Sequence, residues 1–583
     1  MAKSKKSLKS VNTNKSNAST AEYRFGSELI VIVKPEAGLQ ATSDGIASIK
    51  GADTNPLSKL LKSEKISMQP LFGASEERLK LEADSLSPSS ETKIPDLSIY
   101  YQIVAPEEKL EDLAILLLRQ DIVEAAYVKP PGEPPVLKGD ASTMLNDMTP
   151  SEIDAPPVTP NFVLRQGYLD AAPGGIDARH AWTLAGGRGN NVNIIDCEWG
   201  WRFNHEDLRQ NQGGIVAGTG STADDHGTAV IGEIGGDINA IGITGICPDA
   251  RVSAVAFSMP SATAIREAAN RLRPGDIILL EIHRQGPGAS GAGQDGYIAI
   301  EWWPDDFDAI RYAISRGIIV VEAAGNGFRN LDNAIYNVRP SGFPASWTNP
   351  FNRSNRDSGA IVVGAGAPPP NTHGRNHGPD RSRLDFSNWG ALIDAQGWGR
   401  EVTTCGYGDL QGGTDKDLWY TDTFSGTSSA SPIVVGALGC LQGMLRAQGR
   451  IPLSPARARE VLRATGSAQQ DAPGRPSSQR IGNRPNLRQL SALVLQTNFW
   501  VGVQFRGTIP AHQTQRWFTF NWPAHWHIIW TVVPTNPRPG GPQIKWRVQV
   551  ERASDRFITY WINITNVSAS PVDIEARFAV LGW

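Results

Sequence analysis

The chain has 583 residues, of which 40% are hydrophobic and 20% are charged, and its formal net charge is −3. A chain of this length is expected to fold as two to four domains, each with its own core. The nearly balanced charge gives no reason to expect nucleic acid or an anionic membrane as a partner.

Residues 1–22 are polar, basic and rich in serine and asparagine, which predicts a disordered tail. They lack the apolar segment of a secretory signal, and we expect no membrane span because no run of about 20 apolar residues occurs. The expected location is therefore cytoplasmic, or outside the cell by export without a recognisable signal peptide. The four cysteines lie in apolar or glycine-rich segments, so buried thiols are expected rather than a disulfide framework.

Residues 23–129 predict a small α+β domain, because short apolar runs alternate with segments of helical spacing. The strands are expected at Glu28–Lys34, Ser98–Val104 and Ile122–Val128, and the helices at Leu57–Lys65 and Pro106–Arg119. Residues 130–160 contain eight prolines and little apolar periodicity, which predicts an extended linker.

Residues 161–490 alternate apolar runs with helical stretches, a pattern typical of a parallel α/β sheet. The run Asn193-Ile194-Ile195 predicts a central strand that delivers Asp196 at its carboxyl end. A second predicted strand, Ile318–Val321, is followed by Asn326. A side-chain amide at a strand exit can donate to an oxyanion.

Two further segments of this region supply a base and a nucleophile. His226 precedes a run of small residues, and Ser428 lies in the sequence Gly-Thr-Ser-Ser-Ala-Ser-Pro at the start of a predicted buried helix. A serine hydroxyl becomes a nucleophile at neutral pH only beside a base and a site for the developing oxyanion. The chain order Asp196, His226, Ser428 is one of the orders in which catalytic triads occur.

From residue 497 onward the pattern changes to short strands separated by proline, glycine and asparagine, which predicts an antiparallel β-sandwich over residues 497–583. The six strands are expected at Phe499–Ile509, Gln515–Trp522, His527–Pro534, Ile544–Ala553, Phe557–Val567 and Val572–Leu581. Eight of the 17 tryptophans fall in this region. They either fill its core or form a face for a protein partner or a glycan.

The blocks around the four candidate residues resemble the signature segments of the subtilisin-like serine peptidases. The similarity spans about residues 165–490 and is most specific in the His-Gly-Thr and Gly-Thr-Ser-x-Ala-x-Pro motifs. The resemblance implies that Ser428 is the nucleophile, His226 the general base and acid, Asp196 the residue that orients His226, and Asn326 the oxyanion donor. It also implies a parallel sheet with helices on both faces.

The position and pattern of residues 23–129 resemble the inhibitory propeptides of the same family, which assist folding and then block the cleft. An unrelated accessory domain is the alternative. If the chain matures by self-cleavage, the cut is expected within residues 130–160.

The chain departs from the family pattern at two places. After Asp196 the family usually has a small hydroxyl residue and a glycine, whereas Cys197-Glu198-Trp199 follow here. The strand expected beside the substrate, Ile277–Gly286, lacks the Ser-x-Gly edge of the family. The side chain preferred before the scissile bond is therefore not defined by the sequence.

One block suggests a metal. His205-Glu206-Asp207-Leu208 resembles a family segment whose aspartate helps to bind a structural Ca²⁺, and Asn239 falls in the matching loop. Calcium prefers several oxygen ligands, so Asp207 and Asn239 are the candidate ligands. No cofactor is expected to be required for the chemistry.

The sequence thus predicts a serine endopeptidase that hydrolyses protein or peptide substrates through a Ser428 acyl-enzyme and is made as a self-inhibited precursor. Two alternatives stay open. In one, the protein is a latent or pseudo-protease that acts as a binding or scaffold protein through its C-terminal β domain. In the other, it is a dedicated processing enzyme that recognises one partner through that domain.

Overall fold

The computed structural model describes residues 26–42, 45–86, 95–137, 155–496, 500–536 and 540–582. The tail predicted at residues 1–22 lies outside these described residues. Within them the chain forms an N-terminal α+β unit, a central unit built on a seven-stranded parallel sheet, and a C-terminal unit of two antiparallel sheets. This arrangement confirms the predicted fold class.

The N-terminal unit is a four-stranded antiparallel sheet, in the order β4-β5-β1-β6, with helices and a small hairpin beside it. Its elements are β1 (Glu28–Val33), β2 (Leu39–Thr42), β3 (Gly45–Ser48), α1 (Asn55–Glu64), β4 (Ser67–Pro70), α2 (Glu76–Leu86), β5 (Tyr100–Val104), α3 (Leu110–Leu117) and β6 (Val123–Lys129). The helix expected from Pro106 begins instead with a 3₁₀ turn, Glu107–Lys109, so its α-helical part is shorter than predicted.

The central unit carries its parallel sheet in the order β16-β15-β14-β11-β8-β10-β9. Its elements, with the short strand that precedes it, are β7 (Gly132–Glu133), α4 (Ala178–Ala181), β8 (Asn193–Glu198), β9 (Gln212–Ala217), α5 (Asp225–Gly235), β10 (Arg251–Ala256), α6 (Ser261–Arg271), β11 (Ile277–Leu280), β12 (His283–Gln285), β13 (Tyr297–Ala299), α7 (Pro304–Ser315), β14 (Ile319–Ala323), β15 (Ile361–Gly366), β16 (Ala395–Trp398), β17 (Val402–Cys405), β18 (Tyr420–Phe424), α8 (Thr427–Ala447), α9 (Pro455–Ala464) and α10 (Leu487–Leu495). The strands are almost wholly apolar because helices cover both faces, α5 and α8 on one and α6 and α7 on the other.

The strand order of this sheet reverses beside β8, which pairs with β10 on one side and β11 on the other. In open α/β sheets the crevice beyond the carboxyl ends of the strands at such a point is where ligands bind. Asp196 lies on β8, so the predicted site residue is delivered to this crevice by the topology of the sheet.

The two faces of the N-terminal sheet have different partners. One face, which includes Leu29 and Val31, packs against the unit's own helices α1 and α3. The opposite face, which includes Ile30 and Tyr127, packs in one cluster with residues of α6 and α7 of the central unit. The strand β1 is therefore buried on both sides, as its continuous apolar sequence requires.

Helix α8 is long and apolar enough to span a membrane by length and composition alone, and the window that passes this test is fully buried in the central unit. A core helix has the same composition. The close approach of α8 to its neighbours depends on small residues, since a side chain at Gly436 would collide with Ile246. All four cysteines are buried and free, as the sequence predicts.

The C-terminal unit confirms the predicted β-sandwich. Its strands are β19 (Trp500–Ile509), β20 (Thr514–Pro523), β21 (His527–Pro534), β22 (Ile544–Arg552), β23 (Phe557–Asn566) and β24 (Val572–Gly582). They form two three-stranded antiparallel sheets, β19-β24-β21 and β20-β23-β22, whose facing sides share one apolar core. Trp522 and Trp530 lie in that core, whereas Trp500 is 48% exposed, so the aromatic residues divide between core and surface.

Candidate active site

The four residues predicted to carry the chemistry lie at the carboxyl edge of the parallel sheet. Asp196 is on β8, and Asn326 follows three residues after the end of β14. His226 is the second residue of α5, and Ser428 is the second residue of α8. All four are at most 1% exposed.

Ser428 occupies the first turn of α8, where backbone N–H groups have no partner within the helix. Its N–H donates instead to the carbonyl oxygen of Pro135 at 3.3 Å. Gly426 has φ +105°, and a Cβ there would overlap that same oxygen, so the close approach of Pro135 depends on glycine. Within the described part of the chain the hydroxyl of Ser428 makes no hydrogen bond of 3.5 Å or shorter.

Asn326 is held against the start of α8. Its Oδ1 accepts from the N–H of Thr427 at 2.9 Å and from the hydroxyl of Thr427 at 3.0 Å. Its Nδ2 donates to Oε1 of Gln294 at 3.0 Å, and Nε2 of Gln294 donates to the carbonyl of Pro134 at 3.0 Å. The donor end of the Asn326 amide therefore points toward the cleft.

His226 presents one ring nitrogen to a carboxylate and leaves the other available. Its Nδ1 is hydrogen-bonded to Oε2 of Glu198, and its ring packs edge-on against Phe424 at 5.5 Å. Among the described residues its Nε2 has no partner. Burial lowers the pKa of His226 to about 3, although the negative charge of Asp196 opposes this effect. The imidazole is therefore neutral near pH 7, as a general base must be.

The carboxylate on His226 is thus that of Glu198, and not that of Asp196 as the resemblance implies. Asp196 accepts instead from Nε1 of Trp201, at 2.7 Å from Oδ2. Side chains two apart on a strand project to the same face, so both carboxylates reach this site and the longer one extends to the ring. The alternation Asp-Cys-Glu is the signal in the sequence that a second carboxylate, that of Glu198, shares this face of β8.

Two more buried carboxyl groups, those of Glu233 on α5 and Glu281 just after β11, adjoin the site. Burial raises the pKa of Asp196, Glu198, Glu233 and Glu281 well above the ordinary carboxyl range. The pKa of Glu281 is raised further by Asp196 and Glu198 and lowered by neighbouring serine hydroxyls, including that of Ser428. Glu281 is therefore a further carboxyl group beside Ser428, and no motif in the sequence pointed to it.

The cleft is occupied by the chain's own linker. Strand β7 pairs antiparallel with β12, which places Glu133 opposite His283 and Gly132 opposite Arg284. The segment then passes Ser428 and continues into Val136, which packs against the core of the central unit. Strand β12 lies within the segment Ile277–Gly286 that the sequence analysis expects beside the substrate.

A buried ion cluster fixes the N-terminal unit next to this cleft. Nζ of Lys129, at the end of β6, lies 2.5 Å from Oδ2 of Asp305, 3.1 Å from Oδ2 of Asp306 and 3.3 Å from Oε2 of Glu28. Nη2 of Arg284 on β12 lies 2.5 Å from Oε1 of Glu28. The side chains are at most 3% exposed, so all of these charges are desolvated at the interface.

The two residues predicted to hold calcium, Asp207 and Asn239, contact each other. Oδ1 of Asp207 accepts from Nδ2 of Asn239 at 2.6 Å, and Oδ2 accepts from the N–H of Ile243 at 2.6 Å. Burial raises the pKa of Asp207 to about 7, and the hydroxyl of Tyr420 lies 3.3 Å from Oδ2 of Asp207 and 3.1 Å from Oε1 of Glu206. Within the described ranges no group of three or more histidine, cysteine, aspartate or glutamate side chains is arranged to hold a metal ion. Asp207 instead fixes the loop that carries Asn239.

The chain was compared with known proteins. Thermitase from Thermoactinomyces vulgaris is 25% identical over 325 residues, which are 53% of this chain and 94% of thermitase. Among solved structures, one match is fervidolysin from Fervidobacterium pennivorans, a keratinolytic enzyme related to subtilisin. The match has 14% sequence identity and a TM-score of 0.47, and it covers 95% of this chain and 71% of the fervidolysin chain. A second match is the epidermin leader peptide processing serine protease from Staphylococcus aureus. It has 15% sequence identity and a TM-score of 0.45, and the match covers 80% of this chain and 99% of that protease chain.

The sequence profile of the subtilase family, Peptidase_S8, matches residues 174–483, which are a little over half of the chain. The matched range contains the serine, histidine and asparagine that the fold brings into one cleft, and it coincides with most of the central unit. The chain therefore belongs to the subtilase family of serine peptidases.

Proposed function

We propose that this serine peptidase is an endopeptidase made as a self-inhibited precursor, and that its first substrate is its own Pro135–Val136 bond. The observation that carries the proposal is the hydrogen bond from the Ser428 N–H to the Pro135 carbonyl. Glu133, two residues earlier, is paired with β12 in the manner of an added strand. An extended backbone with one carbonyl at the start of α8 is how a peptide bond would be offered to Ser428.

In this mechanism Oγ of Ser428 attacks the carbonyl carbon of Pro135, and Nε2 of His226 accepts the hydroxyl proton. The carbonyl oxygen gains negative charge, and the N–H of Ser428 donates to it. Nδ2 of Asn326 adds a second donor by turning from Gln294. The carbon–nitrogen bond then breaks, and the leaving nitrogen of Val136 takes the proton from His226.

The second half of the reaction removes the acyl group. A water molecule loses a proton to His226 and attacks the ester that joins Ser428 to Pro135. The ester bond then breaks, and His226 returns the proton to Oγ of Ser428, which restores the hydroxyl and the neutral base. Departure of residues 1–135 then uncovers β12. The cleft could from this point bind other peptides along the same edge.

The proposal is tested by intact mass of the wild type and of Ser428→Ala, incubated apart and together. We expect the wild type to lose its first 135 residues and Ser428→Ala to stay whole when alone. Ser429→Ala is the matched control, because Ser429 is the adjacent buried serine and its hydroxyl is bonded to the carbonyl of Trp398 at 2.9 Å. It should be cut like the wild type. Cutting of Ser428→Ala, or cutting at another bond, would contradict the proposal.

The latent-protease alternative is favoured by the buried ion cluster and the filled cleft, both of which stabilise the uncut state. It predicts a wild type that stays whole and takes no serine-reactive fluorophosphonate label. The processing-enzyme alternative predicts that deleting residues 497–583 abolishes cleavage of one protein partner and spares the hydrolysis of small peptides. General protein degradation predicts little change in either activity after that deletion.

A further inference from the structure

We propose that Glu198, and not Asp196, is the carboxylate that orients His226 during the reaction. The inference rests on the proposed function, since it assigns a positioning residue for the same Ser428 chemistry. It differs from the role that the family resemblance implies for Asp196, and it follows from the contacts of these two side chains.

Glu198 contacts the imidazole of His226 directly. Oε2 of Glu198 is hydrogen-bonded to Nδ1 of His226, and both side chains are at most 1% exposed. A carboxylate that accepts the Nδ1–H fixes the tautomer in which Nε2 carries the lone pair. The free Nε2 is then the nitrogen that can accept the proton of Ser428.

The carboxylate of Glu198 occupies space left by the absence of a side chain at Gly227. Gly227 follows His226 on α5, and a Cβ at that position would overlap Oε1 of Glu198 most closely, at 1.7 Å, and would also meet the carbonyl of Gly200 at 2.4 Å and Cδ1 of Trp201 at 2.6 Å. The glycine of the His-Gly-Thr motif therefore makes room for the Glu198 carboxylate in this chain. Any side chain at residue 227 would displace the carboxylate from the imidazole.

The carboxylate of Asp196 is hydrogen-bonded to Trp201 and not to His226. Its Oδ2 accepts from Nε1 of Trp201 at 2.7 Å, and Trp201 is itself 7% exposed and packed in the main core cluster. Asp196 is thereby tied to the loop after β8 and acts on His226 only through its charge. Glu198 supplies the directional contact, and Asp196 supplies a second negative charge nearby.

In the reaction, His226 becomes positively charged when it takes the proton of Ser428. Glu198 then faces the imidazolium across the Nδ1–H and stabilises it, and no proton moves to the carboxylate. Without this acceptor the ring can adopt the tautomer that carries its proton on Nε2, which cannot act as the base.

The kinetic experiment compares Glu198→Gln with Asp196→Asn, two isosteric changes that each remove one charge. The readout is the first-order rate of the Pro135–Val136 cut, measured by intact mass on the full chain. This bond already lies in the cleft of the same molecule, so the measured rate does not depend on substrate binding. We expect Glu198→Gln to slow the cut by about 10³- to 10⁴-fold, as is usual when the carboxylate of a triad is replaced by an amide. Asp196→Asn should slow it by less than about 10-fold, because it removes a charge without changing the tautomer.

The spectroscopic experiment needs no activity. In Ser428→Ala chains labelled with ¹⁵N-histidine, the downfield Nδ1–H resonance of His226 is identified by its loss in His226→Gln. We expect this resonance to disappear in Glu198→Gln and in Gly227→Ala, and to persist in Asp196→Asn. Gly227→Ala serves as the second variant because it leaves both carboxyl groups in the chain.

The two experiments separate the two proposals. If the wild type makes no cut at Pro135–Val136, the proposed precursor function fails, and the resonance still decides the role of Glu198. If Asp196→Asn removes the resonance while Glu198→Gln keeps it, or if Asp196→Asn slows the cut as much as Glu198→Gln does, the assignment of Glu198 is overturned.

Discussion

Replacement of Lys129 by methionine tests what holds the N-terminal unit on the cleft. The ammonium of Lys129 contacts the carboxylates of Asp305, Asp306 and Glu28 within 3.3 Å, and it is fully buried. Burial lowers the pKa of Lys129, but these three carboxylates together raise it, so the group is charged in the docked state. Methionine keeps the length and flexibility of the side chain and removes the charge.

The size of the effect follows from the burial of the partners. Removing one member of a buried ion pair costs about 3–5 kcal/mol, because the remaining charge is left desolvated. Arg284 still neutralises Glu28, and the hydroxyl of Tyr127 still donates to Oδ1 of Asp305 at 2.9 Å. We therefore expect a loss near the lower end of that range. At about 1.4 kcal/mol for each factor of ten, 3–5 kcal/mol corresponds to roughly 100- to 4,000-fold more frequent opening of the docked unit.

The assay is hydrogen exchange of the full chain in the Ser428→Ala background, which prevents cutting. The peptide to follow is the one that contains Gly132–Glu133, since β7 pairs with β12 alone, whereas β12 also pairs with β13 and keeps that partner when the unit opens. Lys129→Met should accelerate its exchange by about 100-fold or more. The control is Lys109→Met, at an exposed position of the same unit, which should leave the rates unchanged. Exchange within about threefold of the parent would refute the argument, since the buried ion cluster would then contribute little to docking.

Three further predictions concern the cut itself. Gly426→Ala should slow cleavage more than about 100-fold while leaving the chain folded, because the added methyl group would push away the Pro135 carbonyl. Intact-mass time courses measure this rate, and an unchanged rate would mean that this carbonyl is not the one attacked. Asn326→Ala should lower the rate by about 10²- to 10³-fold, as is typical for the loss of one oxyanion donor, and a loss below about fivefold would remove Asn326 from that role. Because burial lowers the pKa of His226 to about 3 and raises the pKa of Glu198 well above the ordinary carboxyl range, precursor cleavage should decline on acidification as Glu198 gains a proton, while the imidazole is still neutral. The same time courses on Glu198→Gln should show no such decline between pH 7 and about pH 4, and a decline with the same midpoint in that variant would assign the titration to another group.

Much of the architecture was predictable because it depends on local patterns. The six strands of the C-terminal sandwich are predicted to within one residue at each end, since alternation and turn residues mark them clearly. The positions of His226 and Ser428 at the starts of helices follow from motifs that combine glycine with small residues. Such features are set within a few residues of sequence.

The contacts of the site were less predictable because they join distant segments. Which of the two carboxylates, Asp196 or Glu198, meets His226 depends on side-chain reach across β8 and on the space left by Gly227. The proximity of Glu281 to Ser428 depends on how β11 packs against α8. Likewise, the hydrogen bonds of Asp207 with Nδ2 of Asn239 and with the N–H of Ile243 join segments 32 and 36 residues apart, and its role as a calcium ligand stays a prediction.

The two-sided burial of the N-terminal sheet has a consequence for control of the enzyme. The face that carries Ile30, Ile32, Tyr100 and Tyr127 packs against α6, α7 and Phe343 of the central unit. After the cut, a departing unit would bring this apolar face into water, where such a surface favours aggregation and proteolysis over an orderly return. The N-terminal unit would then inhibit the enzyme only once, before the cut. Later inhibition of the same molecule would require a different inhibitor.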